Sequence, residues 1–84
     1  MEDRIALVGI IVENPDAVEQ LNAILHAYSG YIIGRMGIPC REKNLSLISI
    51  AMCAPNSVIS AMSGKLGMLP GVSTKTVCAK ATEN

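Results

Sequence analysis

Three cysteines and one histidine are the residues of this sequence best suited to metal binding or nucleophilic chemistry. Cys40, Cys53 and Cys78 lack the C-x-x-C spacing of zinc ribbons and redox motifs. The strand pattern described below puts Cys53 and Cys78 on either side of one strand, about 9–10 Å apart at strand spacing. His26 falls on the solvent side of a predicted helix. We therefore predict no catalytic residue, no metal, no cofactor and no intrachain disulfide. A metal site assembled between chains stays open.

Residues 34–37 and 64–67 share a pattern in which two glycines flank a basic and an apolar residue. Neither has the spacing of a phosphate-binding loop. Lys65 falls among apolar helix positions, where it either extends its stem along the surface or neutralises a carboxylate or bound anion. Arg35 lies on a predicted edge strand, where solvation or pairing is expected and anion binding is the alternative. The candidates for ligand or partner binding are Gly34, Arg35, Met36, Gly37, Ser60, Gly64, Lys65 and Gly67.

The second predicted helix carries a stripe of small residues, formed by Ser57, Ser60, Gly64 and Gly67. A glycine inside a helix costs about 1 kcal/mol relative to alanine, so Gly64 calls for a packing reason. The stripe is either a contact surface or a tolerated solvent face. The apolar arc of the same helix is predicted to hold Val58, Met62, Leu66 and Leu69.

The elements that position these residues follow from a repeat at an offset of 40 positions. Leu7 recurs as Leu47, Pro15 as Pro55 and Val18 as Val58, so each half contains a strand, a helix and a second strand. Two halves give the βαββαβ order of an α+β, ferredoxin-like sandwich in one domain, residues 1–84. Its four-stranded antiparallel sheet has the order 4-1-3-2, with two helices on one face.

The predicted boundaries come from apolar runs and their flanking residues. The first helix opens at Asn14-Pro15-Asp16, with asparagine as the cap, and ends at Gly30. The second helix runs from Pro55 to about Gly67, and a charged turn covers 39–44. Strands are predicted over 4–13, 31–38, 45–53 and 72–80, and a polar tail over 81–84.

The two central strands are apolar on both faces, which is unusual for an antiparallel sheet with one face in water. One face should meet the helices through Val8, Ile10, Val12, Ile48, Ile50 and Met52. Monomers seldom expose an apolar patch as large as the other face presents. We therefore predict a homodimer or tetramer built on that face. The interface candidates are Ile5, Leu7, Gly9, Ile11, Leu45, Leu47, Ser49 and Ala51.

Composition excludes several classes of partner. Seven basic and seven acidic residues balance, and the basic residues form no cluster. The chain has only two aromatic residues, both tyrosines, that could stack on bases. We therefore expect no nucleic-acid binding by this chain alone. No apolar run approaches the 18 residues of a membrane span, and the N-terminus does not resemble a signal peptide. A cytoplasmic protein without membrane contact is expected.

Five stretches of the sequence resemble the iron-only hydrogenase system regulator family, and together they span almost the whole chain. They are residues 8–13, 34–39, 44–48, 60–67 and 70–72. Members look like stand-alone ACT-like domains, similar to the C-terminal domain of the nickel-responsive regulator. The chain departs from that regulator in two ways. Because only Met1 to Asp3 precede the predicted first strand, we expect no counterpart of the DNA-binding arm in this chain. The strands also carry no histidine to match its nickel ligands.

The resemblance implies a small oligomeric regulatory domain in the context of iron-only hydrogenase expression or maturation. Such a domain would sense a small-molecule ligand or dock a protein partner. ACT-like domains bind ligands at subunit interfaces, which favours residues 34–39 and 63–67. The alternative is a purely structural interaction module without a ligand. An enzyme of the acylphosphatase type ranks third, because the loop Glu13-Asn14-Pro15 lacks the arginine that such an enzyme needs.

Overall fold

Residues 3–79, which a computed structural model describes, contain strands and helices in the predicted order. The predicted tail over 81–84 and the last residue of the predicted fourth strand lie outside the described residues. The strands are β1 (Asp3–Val12), β2 (Ile32–Cys40), β3 (Leu45–Pro55) and β4 (Val72–Cys78), and the helices are α1 (Val18–Ala27) and α2 (Asn56–Gly67).

The four strands form one antiparallel sheet with the order β2-β3-β1-β4. This is the predicted order 4-1-3-2 read in reverse, so the ferredoxin-like prediction is confirmed. In the register of the sheet, Val8 lies opposite Ile50 of β3 and Thr76 of β4. One register shift interrupts the pairing of β2 with β3, between Ile32 and Gly34.

The start of the first helical segment confirms the predicted cap but corrects the helix type. The Asn14 side chain accepts a hydrogen bond from the Asp16 N–H at 3.0 Å. Pro15–Ala17 then forms a 3-10 turn, in which the Ala17 N–H donates to the Asn14 carbonyl at 3.0 Å. The α-helix proper therefore begins only at Val18.

The predicted end of this helix at Gly30 is wrong. α1 ends at Ala27, and the Tyr28 N–H donates to the Leu25 carbonyl at 3.2 Å. Gly30 lies in a second 3-10 turn, Ser29–Tyr31. Tighter i→i+3 hydrogen bonds satisfy the carbonyl groups of the last turn, so no left-handed glycine is required.

The second strand extends further than predicted, through Pro39 to Cys40. β2 pairs only with β3, so it is an edge strand and one of its sides is open. Proline is tolerated there because its missing N–H removes no hydrogen bond from the sheet interior. A 3-10 turn, Arg41–Lys43, and the left-handed Asn44 then lead into β3.

The hydrophobic core lies between the sheet and the two helices. In α2, Met62 and Leu66 of the predicted apolar arc are fully buried, and Val58 and Leu69 are partly buried against the core. The prediction missed Ile59, which is also buried. No helix within residues 3–79 is long and apolar enough to cross a membrane. The fully buried large side chains, confirming the predicted helix-facing side of β1 and β3, are Val8, Ile10, Leu21, Leu25, Ile50, Met52, Met62 and Leu66.

Gly71 connects the end of α2 to the sheet in a conformation that favours glycine. Its φ is +71°, in the left-handed region. Its carbonyl accepts a hydrogen bond from the Glu13 N–H at 2.8 Å, which ties the end of β1 to the start of β4.

Candidate interaction surface

The sheet face opposite the helices, called here the bare sheet face, carries all eight predicted interface residues. The register places Leu7 opposite Ala51, Gly9 opposite Ser49 and Ile11 opposite Leu47. Leu7 is 52% exposed, and the other large apolar residues of this face on β1 are exposed to a similar degree. Leu45, Ser49 and Ala51 are half-buried. Strand alternation therefore puts these candidates side by side on the surface of the single chain.

The edge strands enlarge this face beyond what the sequence indicated. From β2, Met36 and Ile38 lie opposite Ser49 and Leu47, and Val77 of β4 lies opposite Leu7. Met36 was a ligand candidate, and the structure places it on the bare sheet face instead of in a pocket. The large exposed apolar residues of this face come from all four strands, and they are Ile5, Leu7, Ile11, Met36, Ile38, Leu47 and Val77.

A hollow lies in the middle of the bare sheet face, above Gly9. It has a volume of about 270 Å³, and its lining includes Ile11, Leu47 and Lys75. A Cβ built at Gly9 would lie 3.7 Å from the Lys75 carbonyl oxygen, which is ordinary van der Waals contact. Packing within the chain therefore does not require glycine here. Its effect on the surface is to leave room between larger apolar side chains.

Arg35 lies on the other face of β2, opposite Ile50, and reaches toward α1. Its Nη2 donates a hydrogen bond to the Asn22 Oδ1 at 3.2 Å. This pairing matches the expectation for an edge-strand arginine, with a neutral amide as the partner. The guanidinium therefore lies at the surface between α1 and β2, bonded to an uncharged partner.

The small-residue stripe of α2 is exposed at every one of its four positions. A Cβ built at Gly64 would meet no heavy atom within 4 Å. Nothing in the described part of the chain therefore supplies the packing reason that Gly64 called for. That the stripe is a contact surface for a second molecule therefore stays a prediction.

The two glycine-bracketed segments do not meet within one chain. Gly34, Arg35, Met36 and Gly37 are in β2, the outer strand on one side of the sheet. Residues 60–67 are in α2, which packs against β4, the outer strand on the other side. A ligand that touches both segments would have to lie between two chains.

Lys65 extends over the aromatic ring that follows α1. Its Nζ lies 5.2 Å from the centroid of the Tyr28 ring, a cation–π distance. The residue is exposed, so the ammonium group stays in contact with water while its stem covers the end of α1. This geometry favours the stem-packing interpretation over a bound anion.

Replacing Lys65 by methionine tests that interpretation, because methionine keeps the apolar stem and removes the charge. We expect Lys65→Met to lower the free energy of unfolding by no more than about 1 kcal/mol, the worth of an exposed cation–π pair. Urea denaturation measures this difference, and Lys43→Met in the turn before β3 is the matched control. A loss above about 2 kcal/mol, or a loss of any ligand response, would contradict the interpretation and point to a charged partner.

A hydroxyl cluster between α2 and β4 escaped the sequence analysis. The Ser63 Oγ lies 3.3 Å from the Thr74 Oγ1, and the Thr76 Oγ1 donates to the Ser63 Oγ at 3.4 Å. These groups are partly buried and satisfy one another, so the cluster joins the helix to the edge strand. Thr74 and Thr76 are two positions apart in one strand, which places both on the helix side of the sheet. This spacing is the sequence signal that could have identified the cluster.

The three cysteines are dispersed as the topology predicted. Cys53 lies opposite Ile5, and Cys78 lies opposite the next residue, Ala6, so β1 separates them and they point to opposite faces. Cys40 is at the far end of β2. Among residues 3–79, no three His, Cys, Asp or Glu side chains come together in a way that could hold a metal ion.

Comparison with protein families gives a match over residues 4–76 to the model described as "TM1266-like: Iron-only hydrogenase system regulator, putative". The chain is similar to the solved structure of TM1266, an uncharacterized protein from Thermotoga maritima, with 40% identity and a TM-score of 0.90. That alignment covers 94% of this chain and 100% of TM1266. A search of curated proteins finds no match.

Two more distant structures share the fold alone. The C-terminal domain of the MgtC protein from Mycobacterium tuberculosis aligns with 16% identity and a TM-score of 0.69, over 90% of this chain and 87% of that domain. A formyltetrahydrofolate deformylase from Pseudomonas putida aligns with 8% identity and a TM-score of 0.62. It matches 87% of this chain but only 28% of its own length.

Proposed function

Because the chain belongs to the TM1266-like family of iron-only hydrogenase system regulators, we propose that it is a homo-oligomeric regulatory module of that system. The module is not an enzyme, and it assembles through the bare sheet face into a dimer or a tetramer. One observation carries the proposal. Seven large apolar side chains are exposed together on one face of the sheet, while the other face is covered by helices.

The size of the patch supports self-association. A monomer's largest apolar patch is about 300–600 Å², and seven side chains that are each about half exposed reach the top of that range. A stable dimer buries about 800 Å² on each partner, which the patch and its polar margin match. Because each leucine or isoleucine of the patch is about half exposed, covering it contributes about 0.8–1.5 kcal/mol, half the value for full burial.

The shape of the face also suits a second copy of the same chain. In a two-fold dimer both partners use the same surface, so every protruding residue needs a recess on that same surface. The hollow above Gly9 is such a recess, and Leu7 and Ile11 protrude on either side of it along β1. One protomer can place a leucine or isoleucine of β1 in the hollow of its partner.

Genetic complementation tests the regulatory role. In the organism that encodes the chain, we expect deletion of its gene to change iron-only hydrogenase transcript or activity, and the wild-type gene to restore both. Met68→Glu should restore them equally, because Met68 is 85% exposed just after α2, away from the bare sheet face. Leu7→Glu should fail to restore them. Unchanged transcript and activity after deletion, under conditions that express the hydrogenase, would refute the proposed function.

A purely structural interaction module remains the second candidate, because the bare sheet face needs only a partner to be covered. The two candidates differ in their response to small molecules. A ligand that binds the folded chain raises its melting temperature, and a module without a ligand shows no such rise.

A further inference from the structure

We infer that the cleft between α1 and β2 is a binding site for a small organic carboxylate. The cleft lies on the helix side of the sheet, beside the edge strand, and is separate from the bare sheet face. Its volume is about 440 Å³, within the range of about 300–1,000 Å³ that is typical of small-molecule sites. The residues that line it are Asn22, Leu25, His26, Ser29, Ile32 and Arg35.

The polar residues of the cleft are suited to an anion. Arg35 presents a planar guanidinium with five N–H donors, of which Asn22 accepts one. The remaining donors can bind both oxygens of a carboxylate in the paired geometry that arginine favours. His26 and Ser29 add further donors, and no carboxylate side chain within residues 3–79 lines the cleft.

Asn22 gives the guanidinium a defined position. An exposed arginine on an edge strand is otherwise free to sample many rotamers, which lowers its affinity for any ligand. The hydrogen bond of 3.2 Å between Arg35 Nη2 and Asn22 Oδ1 joins β2 to the middle of α1 and holds the charge over the cleft. The C-terminal end of α1 nearby carries partial negative charge, so the attraction for an anion must come from Arg35.

The apolar part of the cleft determines the kind of anion. Leu25 is a core residue and Ile32 packs against the core, and together they form an apolar floor. Inorganic phosphate would leave this floor in contact with water. A carboxylate with a short aliphatic chain covers the floor and pairs with Arg35 at the same time. That such a ligand regulates the hydrogenase system rests on the proposed function, whereas its binding to the cleft does not.

Titration calorimetry on the purified full chain tests the site, with sodium butyrate as the probe. We expect butyrate to bind once per chain. We expect n-butanol, which lacks the negative charge, and inorganic phosphate, which lacks the aliphatic chain, to bind at least about tenfold more weakly. Arg35→Met should weaken butyrate binding about tenfold or more, and Arg35→Lys should lie between it and the wild type. Arg41→Met is the matched control, because Arg41 is an exposed arginine outside the cleft.

Each contrary result has a distinct meaning. Absence of butyrate binding, or equal binding by Arg35→Met and wild type, would overturn the site. Equal binding of phosphate and butyrate would overturn the assignment to an organic carboxylate. Because the cleft lies within one chain, butyrate should also bind to Leu7→Glu protein. Loss of butyrate binding with an intact hydrogenase phenotype would therefore remove the ligand and leave the proposed function standing.

Discussion

Leu7→Glu is expected to convert the proposed oligomer into single chains. Leu7 lies on the central strand β1, at the middle of the bare sheet face. In a two-fold dimer the substitution places two carboxylates in the interface, each of which costs several kcal/mol to remove from water without a partner. It also removes about 0.8–1.5 kcal/mol of apolar burial from each chain, half the value for full burial, because Leu7 is 52% exposed in the single chain. Light scattering or sedimentation at micromolar concentration should give the mass of one chain.

Two further variants make this prediction specific to the surface. Leu47→Glu, which changes the neighbouring strand, should have the same effect as Leu7→Glu. Met68→Glu introduces the same charge at a more exposed position off this face and should leave the mass unchanged. Because the rest of the patch stays exposed in the variant monomers, we expect their solubility to fall. A wild-type chain that is already a monomer at micromolar concentration would contradict the assembly.

Gly71→Ala is expected to destabilise the fold strongly for the addition of a single methyl group. At φ +71° an alanine is strained by about 1–2 kcal/mol. Its Cβ would also lie 2.7 Å from the Asn14 Cβ and 3.1 Å from the Asn14 nitrogen, so the backbone must move. Such overpacking adds about 1–3 kcal/mol. We expect urea denaturation to show a free energy of unfolding lower by about 2–4 kcal/mol.

Gly64→Ala is the matched control, because it adds the same methyl group to a glycine that lies in a helix and has open space around it. Gly64 is inside α2, and a Cβ there would contact nothing within 4 Å. Helix propensity alone then stabilises the variant by about 0.8–1 kcal/mol. If Gly71→Ala were as stable as wild type, the left-handed conformation and the close approach to Asn14 would both be wrong.

The larger variant Gly64→Leu distinguishes a contact surface from a tolerated solvent face. If the small-residue stripe is a solvent face, leucine should stabilise the helix to the same extent as alanine and leave the oligomer mass unchanged. If the stripe is a contact surface, the bulky side chain should weaken assembly. Light scattering measures the oligomer mass, and urea denaturation measures the stability.

The sequence determined the order of the elements and the two faces of the central strands. The repeat at an offset of 40 set the βαββαβ order, which the structure confirms. β1 and β3 are long and apolar, and side chains alternate strictly along a strand, so Val8 and Leu7 had to lie on opposite faces. The bare sheet face could therefore be predicted, at least over its two central strands.

Only the tertiary structure decided the face that the residues of the edge strand β2 take. β2 pairs with a single neighbouring strand, and a register shift between Ile32 and Gly34 resets its alternation. The sequence gives no local sign of that shift, so Ile38 could not be assigned to the bare sheet face in advance.

The partners of the long charged side chains were also decided only by the tertiary structure. Arg35 bonds to Asn22, and Lys65 covers Tyr28, across elements that are distant in the sequence. A periodic pattern places a residue on a face of its own element. The contact that a flexible side chain makes depends on how two elements pack, and that packing determines whether a cleft forms beside Arg35.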